Sequence, residues 1–560
     1  MKQENITGMP KTENSLGAAA ILLKISPLFP PVFFVVTTAI GAVRWFSPVP
    51  FWDMWDGTLQ FYVARLQGAR WSPFLEQANE HRIILSKILF WIDYRFFHGL
   101  SYFLIASNLA LMLALWLALC AAARALMGGN RRLTYLCCAL IAVPCFSWLQ
   151  AENINWGYQS QFYMAYLLPL LALISMARWI HAPDRTRWLA SAVVLGMLST
   201  ITMANGILAL PLLIVMLLLS GRCTKWRLIG LVVISAVTLA GWLYHYQRMP
   251  HESAPFRMMA KFLLMFLGAP LGWLFHLDPL TMLGGAAVIC ASAYLAVRWL
   301  RGATRDPMFL AMLLFVAHIG AAGAAATISR AHFGLGAALA GRYETPAMLL
   351  YSSLLLMFVH LYRNRIGTAA TVRTLSVVVP VMLFTPQWGS IDPTGPEIAR
   401  QRMQSALALD LGIDDRLTIG RVYPEDSADQ VAQVHRAAGN GMRYNLSVFA
   451  LPELKSARAH LGQPASTADL QPCHGNIDAT TPVASDPNYI KLNGWVFNEA
   501  TKRTPNVAFI VSNGLVVGAV LTGLERPDVT QTINPNAKRA GFEGYAMKFD
   551  PGSISIFCER

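Results

Sequence analysis

Charged side chains are scarce in this chain of 560 residues: Asp, Glu, Lys and Arg make up 14% of it, and hydrophobic residues make up 55%. An average soluble domain has about 25% charged residues, so the composition excludes an ordinary soluble protein. The formal charge of +14 is spread over short basic clusters between apolar runs. This distribution argues against a nucleic-acid partner and is typical of a polytopic membrane protein, with membrane lipids as its surroundings.

Three further features are missing. The eight cysteines show no metal-ligand spacing, and six of them lie in or beside apolar runs, where a neutral thiol is the ordinary state. The polar start MKQENITGMPKTENS has no pattern of a cleavable signal peptide, and the first apolar run is long enough to remain as a span. No convincing internal repeat relates two halves of the chain, although many transporters show one.

Eleven apolar runs approach the roughly 20 residues that a membrane-spanning helix needs. Five connecting segments carry several Arg or Lys, which predicts that they are cytoplasmic. The tail 1–26 is then cytoplasmic, the transmembrane domain covers 27–389, and the remainder is extracytoplasmic. A further apolar segment, 259–277, cannot be a full span, because one more crossing would put the later basic segments on the wrong side of the membrane. We interpret it as re-entrant, interrupted at Gly268-Ala269-Pro270. The predicted spans are 27–46, 99–122, 133–150, 161–178, 188–204, 207–220, 228–246, 279–297, 307–327, 345–362 and 373–388.

The first outer loop, 47–98, is too long for a simple turn and combines acids with tryptophans. Its segments 60–71 and 83–97 have helical spacing, which predicts two short amphipathic helices along the membrane surface. Asp53 stands between two tryptophans near the outer end of the first span. A carboxylate half-buried among indoles has a tunable pKa, which is what a general base requires.

Two other outer segments have complementary chemistry. The segment 329–345 is basic and rich in glycine, which suits an anionic group such as a phosphate; contact with ordinary lipid head groups is the alternative. The segment AENINWGYQSQ, 151–161, combines tryptophan with amides, which either hold a sugar ring or form an interfacial belt. Acids on one loop and arginines on another predict an active site at the outer face. There an acid takes a proton from an acceptor hydroxyl and cations neutralise a departing phosphate.

Four stretches in this order, PVPFWDMWDG, QANEHRIILSKILFWIDYRFFHG, AENINWGYQSQF and SRAHFGLGAALAGRYET, resemble bacterial membrane glycosyltransferases of the GT-C type. Fold-level relatives include the aminoarabinose transferase and the protein O-mannosyltransferases. The resemblance covers roughly residues 25–390. It implies a polyprenyl-phosphate-sugar donor, an acceptor glycan, lipid or protein reached from the periplasm, and an acid of the first outer loop as general base.

The outer loops supply a residue for each of these roles. The first motif of similar sequences often reads WDEW, whereas Met54 replaces the second acid here, so the base is either Asp53 or Asp56. This departure weakens the case for a divalent metal, and no cofactor is expected. Phosphate binding is expected from Arg330, Arg342, His81 and Arg82, and substrate binding from Glu80, Trp156, Tyr158, Gln159 and Tyr343.

After residue 389 the composition becomes polar and mixed. Helical spacing at 396–412 and 425–439 predicts a helical linker over 390–487. From 488 to 560 the pattern indicates strands, with a hairpin signal at Asn513-Gly514, and predicts a small β-sandwich. Its role is either a structural cap or sugar binding.

Cys473 and Cys558 are the two cysteines outside the predicted membrane region. The charge pattern places this region in the periplasm, where disulfides persist, and a small domain often needs such a bond for stability. We therefore predict a disulfide between them, with two separate buried thiols as the alternative.

The fold expected from the whole sequence is mainly α and polytopic, in a bacterial inner membrane, with about eleven spans, outer amphipathic helices and a C-terminal α+β periplasmic domain. The function expected is transfer of a sugar from a lipid-phosphate donor. A transporter or flippase of lipid-linked glycans, and a polysaccharide polymerase or ligase, remain the alternatives. Against a transporter, ionisable residues are almost absent from the middle of the predicted spans.

Overall fold

The computed structural model describes residues 28–249, 252–424, 427–548 and 554–560. The predicted cytoplasmic tail, 1–26, lies outside these ranges. Within them the chain is mostly helical, and its strands form one sheet close to the C-terminus.

Seven helices in the described ranges are long and apolar enough to cross a membrane. Four shorter apolar helices of 10–17 residues match the remaining predicted runs, so a count of eleven spans is not confirmed. The long helices are Tyr102–Leu126, Arg131–Asn155, Gly157–His181, Lys225–Leu243, Asp278–Leu300, Pro307–Phe333 and Gly341–Tyr362. The shorter ones are Phe29–Arg44, Arg187–Ser199, Ala204–Leu219 and Thr368–Met382.

The predicted interruption at Gly268 is confirmed. Helices Phe256–Leu267 and Ala269–Phe275 meet there at an angle of 78°, the geometry of a broken span or of a re-entrant loop. A side chain at Gly268 would place its Cβ 1.9 Å from the carbonyl oxygen of Thr281. Glycine is therefore needed at the bend because the neighbouring helix backbone passes too close for any other residue.

The first outer loop is folded rather than extended. It contains a π-helical turn, Trp55–Gln60, followed by helices Phe61–Leu66, Ser72–Leu75 and Ile84–Phe97. Arg82, on this loop, donates hydrogen bonds to the carbonyl oxygens of Leu75, Trp242 (3.1 Å) and Tyr244. This contact ties the loop to the end of a candidate span.

The helices after residue 389 pack against this outer loop. Trp55 lies 6.2 Å from the ring of Phe449, and both side chains are fully buried in one shared apolar core. The segment 390–487, predicted to be a helical linker, contributes about half of the buried residues of that core, on its helices and on the turns between them. These helices are Thr394–Asp410, Arg416–Ile419, Ala428–Tyr444 and Pro452–His460, of which the first and third confirm the helical spacing read from the sequence.

The sheet has seven strands in the order β1-β7-β4-β5-β6-β3-β2. All neighbouring strands are antiparallel. Their bounds are β1 Leu470–Pro472, β2 His474–Pro482, β3 Tyr489–Phe497, β4 Val507–Ser512, β5 Leu515–Leu524, β6 Gly541–Met547 and β7 Ile554–Glu559. In β4, Phe509 faces the helices while Ala508 and Ile510 face a second small core on the other side of the sheet.

The predicted β-sandwich is corrected to one curled sheet that begins at Leu470, not near 488. Strands β1 and β2 are separated by one residue, Cys473, yet they lie at opposite edges of the sheet. The sheet must therefore curve until its two edges approach each other, and Cys473 N donates a hydrogen bond to the Ile556 carbonyl at 2.9 Å. Strand β2 was not predicted from the sequence, because most of its residues are exposed and few are apolar.

Two local predictions in this domain are confirmed. Asn513 and Gly514 have φ values of +51° and +77° and connect β4 to β5, which is the turn expected of this pair in a tight hairpin. Cys473 and Cys558 form a disulfide bond, with their Cα atoms 5.8 Å apart. The bond joins the start of β2 to β7 across the closing edges of the sheet.

Candidate active site

A cavity of about 340 Å³ lies where the segment 47–98, named the first outer loop above, meets one end of several candidate spans. Seven separate stretches of the chain line it, and small side chains of helix Pro307–Phe333 form an apolar section. Nine predicted site residues line it: Asp53, Glu80, His81, Trp156, Tyr158, Gln159, Arg330, Arg342 and Tyr343. Asp56 and Arg82 are not among the lining residues.

The backbone around Asp53 is held in an unusual conformation. Trp52 has a φ of +48°, a region that bulky residues rarely adopt, and its N–H donates to the carbonyl oxygen of Val422 at 2.8 Å. The Trp52 ring stacks on Trp156, with centroids 6.2 Å apart, and Trp156 Nε1 donates to the Phe51 carbonyl at 3.1 Å. Strain of this kind clusters at functional sites, since the surrounding contacts must maintain it.

Asp53 lies two residues before the π-helical turn Trp55–Gln60. The N–H of Gly57 donates to the Asp53 carbonyl at 2.7 Å. A Cβ on Gly57 would lie 2.5 Å from a ring carbon of Tyr158, so glycine allows the turn to approach the cavity wall. Asp56, the second residue of this turn, is half-buried and is not among the residues that line the cavity. Of the two candidate bases, Asp53 is therefore the one that lines it.

A tight turn presents Glu80 and His81 to the cavity. Ala78 and His81 exchange backbone hydrogen bonds of 2.8 and 2.9 Å, and Asn79 between them has a φ of +49°. Glu80 Oε2 lies 3.3 Å from Arg330 Nη2 and forms an ion pair with it. The predicted phosphate-binding arginine is therefore paired with an acid of the first outer loop.

His81, which was predicted to help bind the phosphate, is held in its neutral form. Burial lowers its pKa to about 4, although the neighbouring Glu80 opposes this shift, while Arg330 adds to it. Its Nδ1 accepts a hydrogen bond from the N–H of Ala204 at 3.3 Å, so the neutral ring carries its proton on Nε2. His81 can donate one hydrogen bond to a ligand but supplies no charge near pH 7.

Arg342 has an acidic partner that we did not single out from the sequence. Glu152 Oε1 accepts from Arg342 Nη1 and Glu152 Oε2 accepts from the Arg342 backbone N–H, both at 3.0 Å. Asn153 Nδ2 donates to the Arg342 carbonyl at 2.9 Å, so this amide is structural. The sequence did contain a signal for this ion pair. Glu152 is the one acid of the predicted sugar-binding segment, 151–161, and a basic segment, 329–345, was predicted on the same side of the membrane.

The two arginines thus stand in a charge-balanced setting rather than in a purely basic pocket. Each guanidinium has five N–H donors, so an ion pair with one carboxylate leaves donors for a phosphate. Arg82 does not line the cavity, and its guanidinium donates to the carbonyl oxygens of Leu75, Trp242 and Tyr244. Its phosphate-binding role stays a prediction, and the cavity gives it no support.

Two glutamines give the cavity unpaired acceptors. Gln159 and Gln161 line it, are at most 5% exposed, and their Oε1 atoms accept no hydrogen bond from the described residues. A buried acceptor without a partner costs about 1–3 kcal/mol, so a ligand that donates hydroxyl hydrogens would recover that cost. Among the described residues no group of three His, Cys, Asp or Glu side chains could hold a metal ion.

These features define the class of the protein: a multi-pass membrane protein with a C-terminal β domain and a polar cavity at one end of its candidate spans. In comparisons with known proteins, no family model, no curated protein and no solved structure matches the chain.

Proposed function

We propose that the chain is a membrane glycosyltransferase that moves a sugar from a polyprenyl-phosphate donor to a glycan, lipid or protein acceptor. The observation that carries this proposal is the convergence of two acids, two arginines and two unpaired amide oxygens on a single cavity. The proposed location is a bacterial inner membrane, with the N-terminus in the cytoplasm and the cavity and C-terminal domain in the periplasm.

The proposed chemistry assigns one step to each kind of residue. The carboxylate of Asp53 takes the proton of the acceptor hydroxyl, and the acceptor oxygen forms a bond to the anomeric carbon. The bond from that carbon to the phosphate oxygen breaks, and its electron pair leaves with the polyprenyl phosphate. Arg330 and Arg342 stabilise the charge of the departing phosphate, while Gln159 and Gln161 accept hydrogen bonds from sugar hydroxyls.

The first prediction tests the base. Asp53→Asn should reduce transfer by about 10²–10⁴-fold, because the carboxamide cannot accept the proton. Asp56→Asn is the matched control and should lose less activity, since Asp56 does not line the cavity. The measurement is mass spectrometry of lipid-linked sugars and surface glycans in cells lacking the chain and complemented with each variant.

Cells that carry Asp53→Asn should accumulate an unused polyprenyl-phosphate sugar and lack one sugar from their surface. Full complementation by Asp53→Asn would remove the general-base assignment. Loss with Asp56→Asn alone would transfer the role to Asp56.

One observation favours a transporter of lipid-linked glycans as the second candidate. His318, within the candidate span Pro307–Phe333, is fully buried and lies 5.9 Å from the ring of Tyr166, a lining residue of the cavity. Ionisable residues inside spans often mark transport pathways. Under this alternative, His318→Gln abolishes movement of the lipid-linked sugar across the membrane and Asp53→Asn leaves that movement intact.

A further inference from the structure

One carboxyl group of the membrane domain is buried without a hydrogen-bond partner and has no role in the proposed chemistry. Glu344 is the first residue of helix Glu344–Tyr362 and is fully buried, and neither of its carboxyl oxygens accepts a hydrogen bond from the described residues. It is not among the residues that line the candidate active site. Ionisable side chains inside membrane-spanning segments are costly and usually functional, so Glu344 is a candidate functional residue.

The direction in which Glu344 points follows from its helix. Tyr351 is seven residues further on, which places both side chains on one face, since seven residues make nearly two turns. The Tyr351 hydroxyl lies 3.6 Å from the position that a Cβ would take on Gly284, in the neighbouring helix Asp278–Leu300. This hydroxyl also makes no hydrogen bond in the described part of the chain, and it is within electrostatic reach of Glu344. The two groups therefore face the helices that follow the break at Gly268.

The broken helix, defined as Phe256–Leu267 together with Ala269–Phe275, packs on that face. Its second half contacts the helix that begins at Glu344. Trp273 Nε1, in this second half, donates a hydrogen bond of 3.0 Å to the carbonyl oxygen of Leu339, five residues before Glu344. The second half of the broken helix therefore lies over the end of the helix that carries the buried acid.

The broken helix also forms part of the wall of the candidate active site. Phe266 lines that cavity, and its ring lies 5.0 Å from the ring of Tyr343, another lining residue. Other side chains of the broken helix are exposed, among them Phe256, Trp273 and Phe275. The broken helix therefore stands between the cavity and the surroundings of the protein.

Close backbone packing attaches the broken helix to the next helix. A Cβ on Gly268 would lie 1.9 Å from the carbonyl oxygen of Thr281, and a Cβ on Gly285 would lie 2.0 Å from that of Leu264. Interfaces packed in this way have discrete arrangements and are not continuously deformable. We therefore expect the broken helix to be either closed on its neighbours or separated from them.

Glu344 makes no ion pair with a cation of the packed elements in the part of the chain that the structure describes. Arg342, two residues before it, is paired with Glu152, and Arg330 is paired with Glu80. Helix Ala269–Phe275 carries no titratable side chain, and no other titratable group hydrogen-bonds to Glu344. The titratable groups towards this end of the packed elements are the buried Cys145, Tyr163, Tyr166, His318 and Tyr343, the half-buried Lys261 and Tyr351, and the exposed Tyr102, His276 and Asp278.

The protonation of Glu344 is therefore linked to its burial. A buried carboxylate with neither a cation nor a hydrogen-bond donor is unstable, so the carboxyl group holds a proton while it is covered. Once water reaches it, a Glu side chain has its ordinary pKa of about 4.3 and is ionised at neutral pH. Opening thus releases one proton to water, and closing takes it up. The closed arrangement is most favoured below about pH 4.3, and opening gains up to about tenfold for each pH unit above that.

We propose that the broken helix is a gate of the cavity and that Glu344 is its proton-sensitive latch. The gate is closed on helix Glu344–Tyr362 while the carboxyl group is protonated, and it separates from that helix when the proton is lost. Opening connects the cavity to the surroundings of the protein on the side of the broken helix. The proposal concerns one wall of the cavity and does not depend on the reaction proposed inside it.

The test is hydrogen–deuterium exchange with mass spectrometry on the full chain in detergent, between pH 6 and pH 8. Exchange rates of segment 262–275 are divided by the intrinsic amide rates at each pH, which gives the opening equilibrium. In the wild type this equilibrium should rise by up to about tenfold per pH unit. Glu344→Gln should show no rise and stay closed, because the carboxamide has the size of the protonated acid and no proton to lose.

Two controls separate the latch from other effects of pH. Asp278→Asn removes an exposed carboxylate from the helix that follows the break, and it should keep the rise of the wild type. Segment 309–319, in helix Pro307–Phe333, should show no rise in any variant, and its protection shows that each variant is folded. Asp53→Asn should also keep the rise, so failure of the transferase proposal and failure of the gate are distinguishable.

The gate proposal is rejected by any of three results. A wild type without the rise in segment 262–275 rejects it whether or not Glu344→Gln folds. An equal rise in Glu344→Gln and wild type would assign the pH dependence to another group. An equal rise in segment 309–319 would mean that the whole membrane domain loosens and that the broken helix is not a separate gate.

Discussion

The molecule has two large apolar cores, and they are built from different parts of the chain. The first lies among the candidate spans and includes Phe315 and Tyr163, both fully buried. The second joins the first outer loop to the C-terminal helices and one face of the sheet, for example through Trp55 and Phe449. Asp53 lies on the outer loop, at the boundary between the two cores.

The difference matters because the two cores are stabilised by different forces. Among lipid tails the hydrophobic effect does not drive helices together, so packing and polar contacts must do so. The second core includes the polar C-terminal region, where removal of apolar surface from water is available as a driving force. The conformation of the Asp53 backbone therefore depends on a domain far away in the sequence.

Loss of the Phe449 side chain should have the largest effect on the stability of the second core. Phe449→Ala removes a fully buried ring and should destabilise the second core by about 3–5 kcal/mol. The outer-loop segment 55–66 should then lose protection in hydrogen exchange. Phe315→Ala, in the first core, is the control and should leave that segment protected. Equal loss of protection in both variants would mean that the cores are not separate units.

Removal of the disulfide should have the next largest effect. Cys473→Ser together with Cys558→Ser should destabilise the curled sheet by about 2–4 kcal/mol, because the bond closes a loop spanning 85 positions. The candidate spans should melt as before, since no described contact of theirs involves these cysteines. In denatured, unreduced wild-type protein neither cysteine should react with a thiol label. Reaction of both would disprove the bond.

A smaller effect is expected where the turn meets the cavity wall. Gly57→Ala should cost about 1–3 kcal/mol, because the new methyl group would overlap the ring of Tyr158. Transfer activity should fall with it, since the N–H of Gly57 donates a hydrogen bond to the Asp53 carbonyl. Gly439→Ala is the control, because no atom lies within 4 Å of its added Cβ. Thermal unfolding of both variants in detergent measures the difference. A Gly57→Ala protein as stable as Gly439→Ala would contradict the close approach.

The smallest effect concerns pH. Because burial lowers the pKa of His81 to about 4, the unfolded chain binds a proton at this residue before the folded chain does. The His81 contribution to stability is thus complete above about pH 6.5 and is lost as the pH falls toward 4. His81→Gln should have a flatter stability curve across this window. Parallel curves for variant and wild type would show that His81 titrates normally.

Local rules predicted much of the fold. The break at Gly268, the Asn513-Gly514 hairpin and the helix over 396–412 each depend on residues adjacent in the sequence, and all three are present. The position of Asp53, Arg330 and Arg342 at the same end of the candidate spans followed from span boundaries alone. The pairing of Cys473 with Cys558 was predictable by elimination and compartment.

Contacts between distant segments were not predictable in this way. Glu152 and Arg342 are 190 positions apart, and Glu80 and Arg330 are 250 apart, so their ion pairs depend on how the spans pack. The use of Arg82 on backbone carbonyls and the neutrality of His81 depend on burial, which a single sequence does not reveal.

By itself, the sequence determined that this chain is an apolar, helical membrane protein with a polar C-terminal domain, because these properties follow from composition and short-range periodicity. Tertiary structure decided that the sheet curls rather than stacks, that the supposed linker supports the outer loop, and that Asp53 rather than Asp56 lines the cavity. The physical reason is that the direction and burial of a side chain are set by elements hundreds of residues away, whose packing no local pattern records.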